Sequence, residues 1–216
     1  MHYKINGKIL KTENAAKSVE QPSRFVLDWI SELPSNSKVL DYGCGKFRYT
    51  IPLSKRVKLV YAVDSIYQID RKQIINQRYS DIKAYSENYL KNVKIFDVDS
   101  KGWKKEKFDF VLCSNVLSAI PFKQVRIEVL QNILKVLAKN GKLLVCNQFR
   151  NTYFKAYETN PSAKKYRDGW VLSSKKGTSF YGMITLPKQV QLCKESGLTI
   201  LENYLKGESA YVLASK

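Results

Sequence analysis

The stretch KVLDYGCGKF, residues 38–47, decides how this chain is read. Val39 and Leu40 read as the end of a buried strand, and Asp41 as its carboxyl-terminal acidic residue. Gly43 and Gly45 let backbone approach a ligand where side chains would collide. A small ligand at a strand-to-helix crevice follows from this pattern. A tight turn that needs two glycines for conformational reasons alone carries the same Asp-x-Gly-x-Gly spacing, so the surrounding sequence has to arbitrate.

Working outward, four further apolar runs each end in polar residues. Residues 58–63 (KLVYAV) lead to Asp64, 93–96 to Asp97, 108–113 to Ser114 and Asn115, and 142–146 to Asn147 and Gln148. Continuous hydrophobic strands with polar groups at their carboxyl ends are what a doubly wound parallel sheet requires, because such strands are buried on both faces and ligands bind at that edge. Asp64 falls about 20 residues beyond the glycine turn, where a carboxylate accepts hydrogen bonds from ribose hydroxyls. The competing role for Asp64 is a helix cap, since Ser65 and the residues after it look helical.

The ordered segments VLDYGCG, YAVDS, IFDVDS, FDFVLCSNVLSAIP and NILKVLAKNGKLLV resemble the motifs of the class I S-adenosylmethionine-dependent methyltransferases, from about Pro22 to the C-terminus. The resemblance implies an α/β Rossmann-like fold: a doubly wound, mostly parallel seven-stranded sheet with a C-terminal antiparallel hairpin, and S-adenosylmethionine over its carboxyl edge. It implies that Asp41, Gly43, Cys44 and Gly45 flank the methionine part, Asp64 and Ser65 the ribose, and Asp97 and Val98 the adenine. Ser114 and Asn115 would form the wall beside the sulfonium. One departure is plain: the family often has a third glycine where this chain has Phe47. A nicotinamide-dependent dehydrogenase would share the turn and Asp64, but its Gly-x-Gly-x-x-Gly pattern is broken here by Arg48, which crowds a pyrophosphate. A non-catalytic binding module would have lost the acidic residues that this chain retains.

The 216 residues suit one methyltransferase domain, divided into an N-terminal arm (1–21), a cofactor-binding core (22–146), a substrate-side insertion (147–185) and a C-terminal helix with two strands (186–216). No apolar run is long enough to span a membrane and no signal-peptide pattern opens the chain, so a cytoplasmic protein without membrane partners is expected. The four cysteines, Cys44, Cys113, Cys146 and Cys193, form neither a metal-ligand spacing nor a disulfide framework, and no metal is expected. The arm reads as polar and irregular, able to fold over the ligand. Pro22 opens a helix through Trp29 that ends at Leu33-Pro34, and residues 66–91 read as one long or two short helices. Residues 122–138 have clear helical spacing that Asn140-Gly141 stops. Residues 186–196 read as the last helix, and 199–205 with 210–214 as a closing hairpin.

The insertion is long for a connection in a compact domain, and long connections at that edge are more often functional than decorative. It concentrates eight aromatic residues among Arg150, Lys155, Lys164, Lys165, Arg167, Lys175 and Lys176. Some of those rings anchor it to the core. Arg150, Asn151, Tyr153, Phe180 and Tyr181 are expected nearest the substrate because they flank its two ends. The formal net charge of +18 places nucleic acid ahead of a small molecule, and both ahead of protein, as the methyl acceptor. An A+T-biased composition rich in Lys, Asn, Ile and Tyr competes with that reading. Ser114-Asn115-Val116-Leu117 stands where base-amine methyltransferases commonly carry Asn/Asp-Pro-Pro-Phe/Tyr, which disfavours methylation of base amines. The only histidine, His2, is too close to the terminus for a base, leaving Asn115, Tyr181 and Lys123 as candidates to position a group or take up a proton.

Overall fold

The computed structural model describes residues 2–16, 19–20, 22–149, 152–175 and 177–216. Seven strands form one sheet: β3 (Lys38–Tyr42), β4 (Leu59–Asp64), β7 (Val93–Asp97), β8 (Phe108–Ser114), β9 (Leu137–Gln148), β13 (Thr199–Lys206) and β14 (Ser209–Ser215), in the spatial order β13-β14-β9-β8-β3-β4-β7. β3, β4 and β7 run parallel, with Asp41 beside Ala62 and Asp64 beside Asp97, so their carboxyl ends share one edge. β13 and β14 pair antiparallel, as the sequence predicts. Val39, Leu40, Val60, Ala62, Val63, Val111 and Leu112 are fully buried, the burial a two-faced sheet demands of an unbroken apolar run. Among the described residues no helix is long and apolar enough to cross a membrane.

Packing groups the residues into two compact units. One comprises Ala16–Leu112 and Val136–Lys142. It holds β3, β4 and β7 with helices α1 (Arg24–Ser31), α2 (Thr50–Arg56), α3 (Ile66–Ile69) and α4 (Ile82–Tyr89). The predicted helices over 66–91 are interrupted: β5 (Gln73–Ile75) and β6 (Arg78–Ser80) form an antiparallel hairpin between α3 and α4. Its turn is Asn76-Gln77, both left-handed (φ 43° and 65°). Two-residue hairpin turns demand that conformation, and with no glycine to announce it the segment passes for helix.

The other unit comprises Met1–Ala15, Cys113–Lys135 and Leu143–Lys216. It holds α5 (Lys123–Val136), α6 (Thr152–Thr159), α7 (Leu186–Glu195) and a second, five-stranded sheet. Here the N-terminal arm is corrected: it is a hairpin, β1 (His2–Ile5) and β2 (Lys8–Lys11), turning at Asn6-Gly7 (φ 48° and 78°). Asn-Gly between alternating residues is a strong hairpin signal, masked by the lysines on the outward face. β2 joins the insertion's own meander, β10 (Ala163–Tyr166), β11 (Gly169–Ser174) and β12 (Gly177–Gly182), through a parallel pairing of Leu10 with Thr178. The resulting order is β1-β2-β12-β11-β10. Ile5, Leu10 and Phe180 form the core of this sheet, with Tyr3, Phe122, Tyr166 and Val171 against it. The helix predicted over 122–138 stops earlier, and β9 already begins at Leu137, so Asn140-Gly141 lies inside a strand. A Cβ on Gly141 would stand 2.7 Å from the Phe108 carbonyl oxygen, so close strand approach is what the glycine serves.

Candidate functional site

The turn after β3 is built almost wholly from backbone groups. Gly43 and Cys44 donate their N–H groups to the Val63 carbonyl at 2.7 and 3.1 Å, tying the turn to the end of β4. Gly43 (φ 78°) and Gly45 (φ 55°) are left-handed, which is why glycine is needed at both. Phe47, which stands where the family this sequence resembles often has a glycine, is left-handed too, at φ 65°. That conformation costs a non-glycine residue about 1–2 kcal/mol. Burying a phenylalanine returns about 1.5–3 kcal/mol, and Phe47 is fully buried in a cluster with Cys44, Ala62, Ile75, Ile82 and Tyr85. Packing therefore holds at Phe47 the conformation a glycine would allow.

Around the turn stand three carboxylates. Asp64 accepts from the Gly45 N–H and the Ser65 N–H, both at 2.8 Å. The cap of α3 is Ser65, whose hydroxyl accepts from Gln68 N–H, so Asp64 is the brace of the glycine turn and not a cap. Asp41 is buried, and Thr50 Oγ1 donates to it at 2.6 Å. Burial pushes its carboxyl up to about 7, the Thr50 hydrogen bond partly offsets that rise, and the Asp64 charge adds to it. Burial and the charges of Asp64 and Asp41 likewise push the Cys44 thiol well up, leaving it neutral and unreactive. Asp97, beside Asp64 at the end of β7, is half-buried and turns the chain by accepting from Asp99 N–H. Val98 donates its N–H to the Asp64 carbonyl and accepts from the Trp103 indole.

This donor set fits S-adenosylmethionine. A cluster of carboxylates offers acceptors to hydroxyl and amino groups and attraction to an ammonium and a sulfonium, while it repels a pyrophosphate. Asp41, Gly43, Cys44, Gly45, Asp64, Ser65, Asp97 and Val98 lie in one compact unit. Sequence reasoning missed Gln68 and Gln73 there, two buried glutamines that bond to each other, Gln68 also donating to the Gly45 carbonyl of the turn. Their positions carry no motif; only polar residues inside an apolar pattern signal them.

In the other unit, Ser114 ends β8 and accepts from the Cys146 thiol at 3.0 Å. Asn115 is left-handed (φ 57°), donates its N–H to the Cys146 carbonyl and accepts from Gln148 N–H at 2.9 Å. Its carboxamide oxygen is thus committed to fixing the loop. A second pair supports that loop, of which sequence reasoning names Asn147 as a strand end and misses Gln189: Asn147 accepts from Ser118 N–H and donates to Gln189, which bonds the Val145 and Ala210 carbonyls from α7. Lys123 makes an exposed ion pair with Glu195 at 2.8 Å, a surface role. Burial raises the Tyr181 phenol, with Ser179 hydrogen bonding opposing it, so it stays protonated at neutral pH. Phe180, expected on the substrate side, instead fills the core of the five-stranded sheet, because successive residues of β12 face opposite sides. Tyr181 pairs with Trp170 across β11 and shares its face. Phe154 and Tyr157 of α6 reach that face: Trp170 lies 5.7 Å from Phe154 and 6.1 Å from Tyr157, and Tyr157 lies 5.7 Å from Tyr181. Lys165 caps the Trp170 ring at 3.7 Å. The buried Arg126 clamps Asp168 with both terminal nitrogens and fixes the β10–β11 turn to α5. Tyr153 lies in α6, and Arg150 and Asn151 lie outside the described residues. Among the described residues no group of three or more His, Cys, Asp or Glu is placed to hold a metal ion.

The sequence matches the methyltransferase-domain family over residues 15–203. The chain belongs to that family. This methyltransferase is 34% identical over 212 residues to the uncharacterized protein YmfD of Escherichia coli K12, covering 98% of the chain and 95% of YmfD. It is 27% identical over 109 residues to the 23S rRNA (uracil(1939)-C(5))-methyltransferase RlmD of Haemophilus parainfluenzae, spanning 48% of the chain and 23% of that relative. Among solved structures, a methyltransferase of Methanosarcina mazei superimposes with a TM-score of 0.66 at 15% identity, over 91% of this chain and 98% of that one. The 1,6-didemethyltoxoflavin-N1-methyltransferase of Burkholderia thailandensis, solved with S-adenosylhomocysteine, superimposes with a TM-score of 0.61 at 16% identity, over 89% and 77%. The methyltransferase fold is shared with both, and S-adenosylmethionine is the cofactor.

Proposed function

We propose that this enzyme methylates a small, planar, negatively charged molecule that presents an amine or an ionisable hydroxyl. The observation that carries this reading is the half-buried face formed by Phe154, Tyr157 and Tyr181 around the buried Trp170, with the Lys165 ammonium on the indole. Tilted, partly covered rings suit one inserted planar group better than a run of stacked bases, and the local cation suits an anionic substituent. The excess of basic over acidic residues raises the concentration of any anion near the surface, small ones included.

When bound, S-adenosylmethionine supplies a methyl group on a sulfonium, ready for in-line displacement. The chain's part is alignment and exclusion of water. Asp64 and Asp97 would offer acceptors to the nucleoside, and the Gly43–Gly45 turn would admit the methionine portion. A protonated Tyr181 serves as a hydrogen-bond donor and not as a base, and Lys123 is engaged with Glu195, so the proton of an amine acceptor leaves to water after transfer.

A second reading, nucleic acid as acceptor, is favoured by the seven basic residues between 150 and 181 and by the partial match to an rRNA methyltransferase. Incubation with radiolabelled S-adenosylmethionine and fractionated cell extract separates the two. Label in the metabolite fraction is expected; label confined to RNA or DNA overturns the small-molecule proposal.

A further inference from the structure

Gly45 is held from both sides. Its N–H is taken by Asp64 at 2.8 Å, and its carbonyl accepts from Gln68 Nε2 at 2.7 Å. Gln68 is completely buried, its backbone N–H is capped by Ser65 Oγ, and the same Nε2 also donates to Gln73 Oε1 at 3.1 Å. The Gly45 carbonyl can only accept, which fixes the orientation of the Gln68 amide. Gln68 Oε1 is buried with no hydrogen-bond partner. An orphaned acceptor is a cost to folding that buried side chains seldom carry, and it is found where another requirement outweighs stability. Here that requirement is visible in the geometry: a leucine or methionine of the same size would pack as well but would release the carbonyl of a left-handed glycine.

We propose that Gln68 is a positioning residue for S-adenosylmethionine, holding the Gly45 peptide so that the glycine turn stands preformed in its binding shape. Gln73 shares the task. It opens the β5–β6 hairpin, whose Ile75 packs with Cys44 and Phe47 on the same turn, so the hairpin serves as the buttress through which Gln68 is itself fixed. A preformed turn spares the ligand the cost of ordering it, and the affinity so gained belongs to the part of the ligand that the turn touches.

The proposal rests on the reading that the Gly43–Gly45 turn flanks the methionine portion of the cofactor, and the experiment distinguishes the two. Calorimetry compares S-adenosylhomocysteine with methylthioadenosine, which lacks the amino-acid portion, on the wild-type protein, Gln68→Met and Gln73→Met. Gln68→Met is expected to weaken S-adenosylhomocysteine about tenfold, the equivalent of one lost hydrogen bond to a fixed partner. Methylthioadenosine should stay within about twofold, whatever shift in melting temperature follows from the Gly45 and Gln73 acceptors that methionine leaves unpaired. Gln73→Met should show the same split at about threefold, and it carries the test if Gln68→Met does not fold. Equal losses for both ligands, or no loss for either, overturn the positioning role while leaving the turn assignment intact. A wild-type protein that binds methylthioadenosine and S-adenosylhomocysteine equally well removes the turn assignment, and the proposal with it.

Discussion

The glycine turn and the inserted antiparallel sheet differ in how far along the chain their bonds reach. The hydrogen bonds that tie the turn down reach at most 23 residues along the chain: Gly43 to Val63, Gly45 to Asp64, Gly45 to Gln68, Thr50 to Asp41. The five-stranded sheet instead joins residues 8–11 to residues 177–182, and the Arg126–Asp168 clamp ties its turn to α5. Local pattern can specify the first arrangement. Only long-range pairing specifies the second.

That difference governs what the sequence reveals. The unbroken apolar runs ending in Asp41, Asp64 and Asp97 are legible because a strand buried on both faces has no freedom to alternate, and left-handed glycines cannot be disguised. The strands of the insertion alternate weakly, with Lys164 and Lys165 side by side on an edge, and nothing near Thr178 announces that Leu10 lies beside it. Phe47 and Gln77 show the same limit at single residues: both are left-handed without being glycine, and burial or turn closure imposes the conformation that the side chain does not request. Gln68, Gln73 and Gln189 are illegible because a polar residue at a buried position has no spacing of its own, whereas Asn147 is announced by the apolar run it ends.

The largest expected effect sharpens the turn side of the comparison. Asp41 has a folded carboxyl pushed up to about 7 against an ordinary 3.8, so between those values the folded state binds the proton that the unfolded chain releases. Stability is therefore greatest below about pH 4 and falls as pH rises to about 7, beyond which the full cost of a buried ionised carboxylate is present. Asp41→Asn keeps an acceptor for Thr50 and removes the charge. At pH 8 it is expected to be more stable than the wild type by a margin on the order of 4 kcal/mol, with a flatter profile in urea denaturation from pH 4 to 8. Cofactor affinity should fall in the same variant, since on the proposed reading Asp41 flanks the cationic methionine portion of the cofactor. Equal stability at pH 8 would show that Asp41 is solvated.

Gly43→Val comes next. The backbone at φ 78° is strained for a β-branched residue, and the N–H bond to Val63 is at risk with it. Loss of S-adenosylhomocysteine binding by at least about 100-fold, roughly 3 kcal/mol, is expected in calorimetry. Asp64→Ala is smaller, about 1–3 kcal/mol, because it removes the proposed acceptor for ribose and also one brace of Gly45. If Asp64→Ala matched Gly43→Val in size, the brace would matter more than the ribose contact, and the two sides of the Gly45 peptide would be better described as one clamp.

The smallest expected effect tests the insertion side. Lys155, Lys164 and Lys175 are exposed, whereas Lys165 and Arg167 lie against aromatic rings, so the first three form the set that can be changed without disturbing the fold. None belongs to the unit that holds Asp41, Asp64 and Asp97, and S-adenosylhomocysteine affinity should be unchanged when all three become Ser. For a small anionic acceptor only long-range attraction is lost, and screening makes that modest: a rise in KM of at most about twofold near physiological salt, vanishing at about 1 M. A nucleic-acid acceptor would respond differently, because each lost phosphate contact would reduce the salt dependence of binding by about 0.9 in the log–log slope. A slope that drops by roughly two units or more in the triple variant would break the contrast between turn and insertion, replacing the proposed small-molecule role of the insertion with that of a nucleic-acid surface.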